Sequence, residues 1–343
     1  MKIRDLANHL WSCFLRLLVI CLWVGYPLSA FCLTPLANKP FSATTVSINQ
    51  PADLTTRFCL QAGYRVDQLD WNIAGNNNDN DYVNVLSELS WRDLEIFQVQ
   101  LQNVTILQKR YYVRFSISKG YIYAGENQDS DYNSNNRGDE WSRSNNSADS
   151  GDVIDLSIGA GYRFRFYGDR LGIIPLVGLS QHEQNLNMTD GYQTIGAAED
   201  IGPFQGLDSS YRACWEGPWL GLDVTYTSEL PYRWAQQIGF DVGFEYHWAD
   251  YQATARWNLR TDFDQDKSFI HNADGTGIVI NGGCRIALST HWGIQLRGNY
   301  QQWRTDAGLD RVYSSDKISF SETVLNEVNW SSVAGMLGVE LRF

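Results

Sequence analysis

The sequence predicts an all-β fold: a transmembrane, antiparallel, up-and-down β-barrel of about ten strands that extends above the membrane. Three observations predict it. The last residues, "SSVAGMLGVELRF", alternate almost without fault, with Val333, Gly335, Leu337, Val339, Leu341 and Phe343 on one face and small or polar residues on the other, the period of a strand. In "IDLSIGAGYRFRF" the face opposite Ile154, Leu156 and Ile158 carries Asp155, Arg163 and Arg165. Charges there do not suit a dry sandwich core, but they do suit a barrel with lipid outside and a polar lumen. Finally, short connections ("LQKR", "YGDR", "SELPY", "STHW") alternate with long polar ones such as "TDAGLDRVYSSDKISF", as periplasmic turns alternate with extracellular loops.

The elements follow in order. Lys2 and Arg4, the apolar "LLVICLWV" (Leu17 to Val24) and the small-residue exit at "LSA" (Leu28 to Ala30) read as a signal peptide over 1–30, leaving 31–343 as the barrel. The apolar core is too short for a spanning helix. Cys32 follows the exit, but Phe31 stands where a lipid-attachment signal wants a small residue. Strands are expected at 57–74, 82–105, 110–127, 152–167, 172–188, 210–228, 232–263, 276–289, 292–305 and 329–343. Twelve result if an extra hairpin hides in 209–263. Several exceed the roughly 9–11 residues that cross a bilayer, so the barrel should stand clear of the membrane on its loop side. Among thirteen Trp and eighteen Tyr, Trp71, Trp91, Trp219, Trp248 and Trp292 lie near strand ends and are the expected interfacial girdles.

Composition narrows the function. A net charge of −12 argues against nucleic acid, because phosphate neutralisation needs clustered Lys and Arg. Cys59, Cys214 and Cys284 are widely spaced, without C-x-x-C or a nearby His, and read as small wall residues rather than a zinc site. "DSDYNSN" begins like a calcium loop but has Ser134 where the sharp turn requires Gly. No metal or cofactor is expected. "RGD" (Arg137 to Asp139) falls in a loop.

Two acids at the top of the third strand, Asp129 and Asp131, sit at i and i+2. They therefore face one space, and at least one should have a perturbed pKa.

Together with "QLDW", "DSDY", "IDLSI", "GPWLGL" and the terminal strand, this arrangement resembles the omptins, outer-membrane aspartyl-type proteases. In that family a carboxylate pair faces a D-x-H dyad across the barrel mouth. The resemblance implies catalytic roles for Asp129, Asp131 and His271, with Phe269 standing where the family has the dyad's aspartate. Asp262, Asp264 or Asp266 could hold His271 only if the register differs. Glu245 and His247, at the same spacing, read as a lumen pair, and His182 and His291 as lumen and turn residues. The arginine with which omptins hold lipopolysaccharide is missing from "VGLSQHEQNLN".

A second resemblance, resting on size, Trp and Tyr content and architecture, is to outer-membrane porin-like proteins of environmental chlamydiae. The readings are a surface or adhesive barrel with an incomplete protease site, an active endopeptidase cutting at basic sites, or a porin-like pore. Expected partners are outer-membrane lipid and a host or extracellular protein or peptide, with no nucleic acid and a monomeric state.

Overall fold

The computed structural model describes residues 54–343 except Asn78 and Arg233; the expected signal peptide and Cys32 lie outside the described residues. The elements are β1 (Leu54–Asn76), β2 (Tyr82–Leu107), β3 (Tyr111–Ser134), β4 (Gly138–Ser147), β5 (Gly151–Tyr162), β6 (Phe164–Phe166) and β7 (Leu171–Ile195). Then come β8 (Gly202–Pro203), β9 (Ser209–Tyr232), β10 (Ala235–Arg256), β11 (Phe269–Ala287), β12 (Trp292–Thr305), β13 (Gly308–Tyr313) and β14 (Phe320–Arg342). All pairings are antiparallel, and β1 pairs with β14 to close the ring. At the seam Thr56 and Phe343 exchange backbone hydrogen bonds of 3.1 and 2.9 Å.

These fourteen strands make ten staves. β4 and β5 are successive parts of one stave between β3 and β7, and β13 prolongs β12 between β11 and β14. The segment 209–263 forms one hairpin, β9–β10, so the count is ten rather than twelve. β10 stops at Arg256 and β11 begins at Phe269, earlier than the sequence suggests. At about 3.3 Å per residue and a tilt near 40°, a strand the length of β1 rises roughly 55–60 Å, about twice the apolar band of such barrels. The upper half therefore stands outside the membrane.

The outward apolar residues mark the lower half. Leu60, Val99, Val177, Leu222, Val242, Leu296 and Leu337 are all exposed on the wall, where lipid tails rather than water meet them. Trp248 and Trp292 are 43% and 53% exposed, as girdle residues should be. Trp71, Trp91 and Trp219 are corrections: at 3%, 0% and 1% exposure they point into the lumen. Glycines make room for such rings, since a Cβ on Gly159 or Gly178 would stand 2.4 or 2.2 Å from Trp219. The small residues of the inner face are seats for tryptophans.

The lumen is filled by side chains that reach across it. Arg65 on β1 makes bonds of 2.7 and 2.6 Å to both carboxylate oxygens of Asp67 and one of 2.6 Å to Asp155. Asp155 also meets His182 Nδ1 at 2.9 Å and accepts a bond of 2.9 Å from Ser118. Below, Arg114 pairs with Glu245 at 2.8 Å, and Glu245 meets His247 at 3.1 Å, the expected lumen pair. Arg163 and Arg165 hold Asp169 in the turn before β7 rather than crossing the lumen, while Glu340 takes Arg342 of its own strand. Above the ionic layer lies an aromatic one. Trp303 and Trp330 stack at 5.5 Å, Trp215 stands 5.8 Å from Trp303, and Trp91 stacks on Tyr211 from an opposite stave at 5.2 Å.

Candidate functional site

Above the aromatic layer the barrel opens into a cleft of about 700 Å³, ringed by the upper ends of β1–β4, β7, β11, β13 and β14 and by the loops after β8 and β10. β3 carries Asp129 and Asp131 into it. In the ladder Asp129 stands between Leu89 and Ser144, and Asp131 between Ser87 and Ser142, so both carboxylates share one face with the serines. Burial, then the charge of Asp131, pushes the Asp129 carboxyl well above the ordinary carboxylate range, against the pull of Arg260. Burial also raises Asp131, opposed by hydrogen bonds from Ser87 and Ser142 and by Arg260. Two such carboxyls cannot both ionise cheaply, so the pair holds a proton that solvated carboxylates would release. Asp129 to Ser134 continue β3; because their side chains alternate sides, they cannot wrap a calcium ion.

The opposite wall holds His271, fully buried, on β11. Its aspartate comes from another strand. Asp310 on β13 is the direct cross-strand neighbour of His271, and its Oδ1 stands 3.2 Å from His271 Nε2, without hydrogen-bond geometry. Nδ1 meets the hydroxyl of Tyr211 at 2.8 Å, and Tyr211 meets Tyr251 at 2.6 Å. Tyr211 and His271 Nδ1 share one hydrogen bond, while Nε2, the ring atom beside Asp310, forms none. Trp71 covers the ring edge-on at 4.8 Å, with Phe269 at 5.1 Å. Asp129, Asp131 and Asp310 line the cleft; His271 does not.

Asp262, Asp264 and Asp266 serve the loop instead. Asp262 takes both arms of Arg260 at 2.9 and 2.8 Å, Asp264 accepts the Asp266 amide, and Asp266 pairs with Lys317 at 2.5 Å. Asp310 is not legible in "TDAGLDRVYSSDKISF", because the six residues of β13, "GLDRVY", show no period-two alternation and the stretch reads as a loop. Arg137 of the RGD tripeptide lies on the exposed β3–β4 hairpin, tied to Glu88 at 2.7 Å. Cys59, Cys214 and Cys284 are free thiols.

A closed ring of ten antiparallel staves with lipid-facing apolar side chains and a polar interior defines an outer-membrane β-barrel. The structure is similar to that of the outer membrane protease OmpT from Escherichia coli, with a TM-score of 0.66 and 11% identity over 86% of this chain and 99% of that one. At that identity the likeness is one of fold. The chain belongs to the family described as Protochlamydia outer membrane protein, which it matches over residues 59–343. The translocator domain of the autotransporter NalP from Neisseria meningitidis is similar at a TM-score of 0.34 and 10% identity, over 87% of this chain and 91% of that one. A major outer membrane protein from Thermus thermophilus is similar at 0.33 and 13%, over 84% and 99%. No curated protein matches the sequence.

Proposed function

We propose that this protein is a surface-displayed binding barrel, its lumen closed by its own side chains and its external cleft holding a ligand without cleaving it. The observation that carries the reading is the state of His271. A base that activates water needs a free lone pair within hydrogen-bond reach of that water. His271 is fully buried and lines no part of the cleft, its ring covered by Trp71 at 4.8 Å, with Nδ1 on the Tyr211 hydroxyl and Nε2 beside Asp310. A carboxylate pair and a carboxylate–histidine pair thus border one cleft, as in an omptin protease site, but the imidazole has no route to substrate. Loss of a working base costs on the order of 10⁴ in rate. Refolded protein incubated with peptides carrying paired Arg or Lys, beside Asp129→Asn, is expected to give no cleavage above that variant. Turnover by the wild type alone, at an ordinary enzymatic rate, would overturn the reading and make Asp129, Asp131 and His271 catalytic.

A second reading, a narrow pore, draws support from two polar chambers within the lumen. They are small, about 30 and 60 Å³, and are lined by residues such as Arg114, Asp223, Arg297 and Gln301. On that reading the aromatic layer acts as a gate, and bilayer conductance separates it from the closed barrel.

A further inference from the structure

We infer that the cleft takes a neutral oligosaccharide, laid across the barrel mouth between aromatic faces and the polar side chains of the walls. The inference rests on the reading of the cleft as a binding site and names its ligand class.

Three features of the cleft point the same way. Aromatic side chains stand at its rim: Trp141 on β4 is 48% exposed, and Trp257 and Phe204 are half-buried. Between them lie amides, hydroxyls and the carboxyl pair, including Asn133, Gln193, Ser142 and Asp131. Apolar ring faces beside convergent donors and acceptors suit a sugar ring, which presents C–H faces and an equatorial belt of hydroxyls.

The cleft also holds buried polar atoms with nothing to bond. Trp71 is 3% exposed and its indole Nε1 has no partner; Asn146 is 7% exposed and its Oδ1 has none, although its amide nitrogen reaches Asn127 at 2.8 Å. Both side chains line the cleft. A stranded donor and a stranded acceptor each cost stability unless something answers them; both atoms lie beneath the cleft surface, so a ligand hydroxyl answers them only as the side chains turn toward it.

The third feature disfavours an extended peptide. Such a ligand is commonly held by main-chain bonds to an open strand edge. Here the upper part of β3 is paired on both sides by β2 and β4, β11 by β10 and β13, and β14 by β1 and β13. No edge among these walls is free for a peptide backbone. Charge agrees. Burial raises both Asp129 and Asp131, and Arg260 lines the same cleft, so the cleft is less negative than three ionised acids would make it.

The test uses the refolded barrel in amine-oxide micelles, because sugar-headed detergents would compete. Maltohexaose, cellohexaose, chitohexaose and a peptide with paired Arg are titrated by calorimetry and Trp fluorescence. Trp141→Ala and Gln193→Ala, both on the rim, are checked for folding by heat-modifiable migration. At least one hexasaccharide is expected to saturate, and Trp141→Ala to weaken it by about tenfold, the cost of one aromatic face. Failure of all three sugars to saturate at millimolar concentration overturns the inference, as does binding that neither variant weakens. Peptide bound intact in place of sugar also overturns it while the binding reading stands. Peptide that is cut brings down the binding reading itself.

Discussion

Replacing Arg65 with Met asks how dry the lumen is. Arg65 is 1% exposed and gives three short bonds to Asp67 and Asp155. Its removal leaves two carboxylates inside the barrel, with His182 and Ser118 on Asp155 and Trp330 and Gln184 on Asp67 as their remaining partners. Breaking a buried pair in this way costs about 3–5 kcal/mol, or roughly 10² to 10⁴ in the folding equilibrium. The double variant Arg65→Met, Asp155→Asn should recover part of that loss, because one stranded charge is gone with its partner. Denaturant unfolding of the barrel in micelles, followed by Trp emission, measures both. A loss below about 1 kcal/mol would be that of a solvent-screened pair. It would show that water fills the lumen and that the ion cluster does not close it.

The remaining predictions concern the aromatic layer and the cleft. Trp303→Ala should cost about 3–5 kcal/mol, because the ring is 2% exposed and packs between Trp215, Trp330 and His247; unfolding midpoints measure it, and a change under about 1 kcal/mol would contradict the packing. The carboxyl pair sets a pH dependence. Because burial raises Asp129 and Asp131 in the folded state, the folded barrel binds more protons than the unfolded chain. Stability should therefore fall as pH climbs from about 4, the ordinary carboxylate range, through the folded value. Asp129→Asn should flatten that fall and raise stability at neutral pH; an unchanged slope in unfolding curves would show the pair to be solvated. Asp310→Asn should destabilise the upper barrel without changing peptide cleavage, since Asp310 stands 3.2 Å from the buried His271 and accepts from Thr323 at 3.1 Å.

The fold was legible where environment repeats every second residue. Along β14, Val333, Leu337 and Val339 meet lipid while Ala334 and Met336 face inward, so alternation alone gives the strand and its sides. What alternation does not carry is stagger, and a barrel's stagger decides which residues meet across the lumen. Hence Asp129 and Asp131, neighbours on one strand, could be placed together from the sequence, whereas Arg65 with Asp155 could not. Trp71, Trp91 and Trp219 were read as girdles because a Trp near a strand end fits either side of the wall, and only the neighbouring glycines hint which. His271 was recognised, but its aspartate sits on a six-residue strand inside what reads as a loop, and cross-strand partners leave no fixed spacing. The loop acids that seemed available to it were already committed to Arg260 and Lys317.

Single-channel recording in planar bilayers tests the closed lumen most directly, with wild type beside Trp303→Ala. The wild type should give small steps or none, because Arg65, Asp67, Asp155 and His182 span the bore beneath Trp215 and the stacked Trp303 and Trp330. The variant should admit brief small currents as the aromatic layer loosens. Large, steady, ion-selective steps from the wild type would contradict the account and make the polar chambers a conducting path.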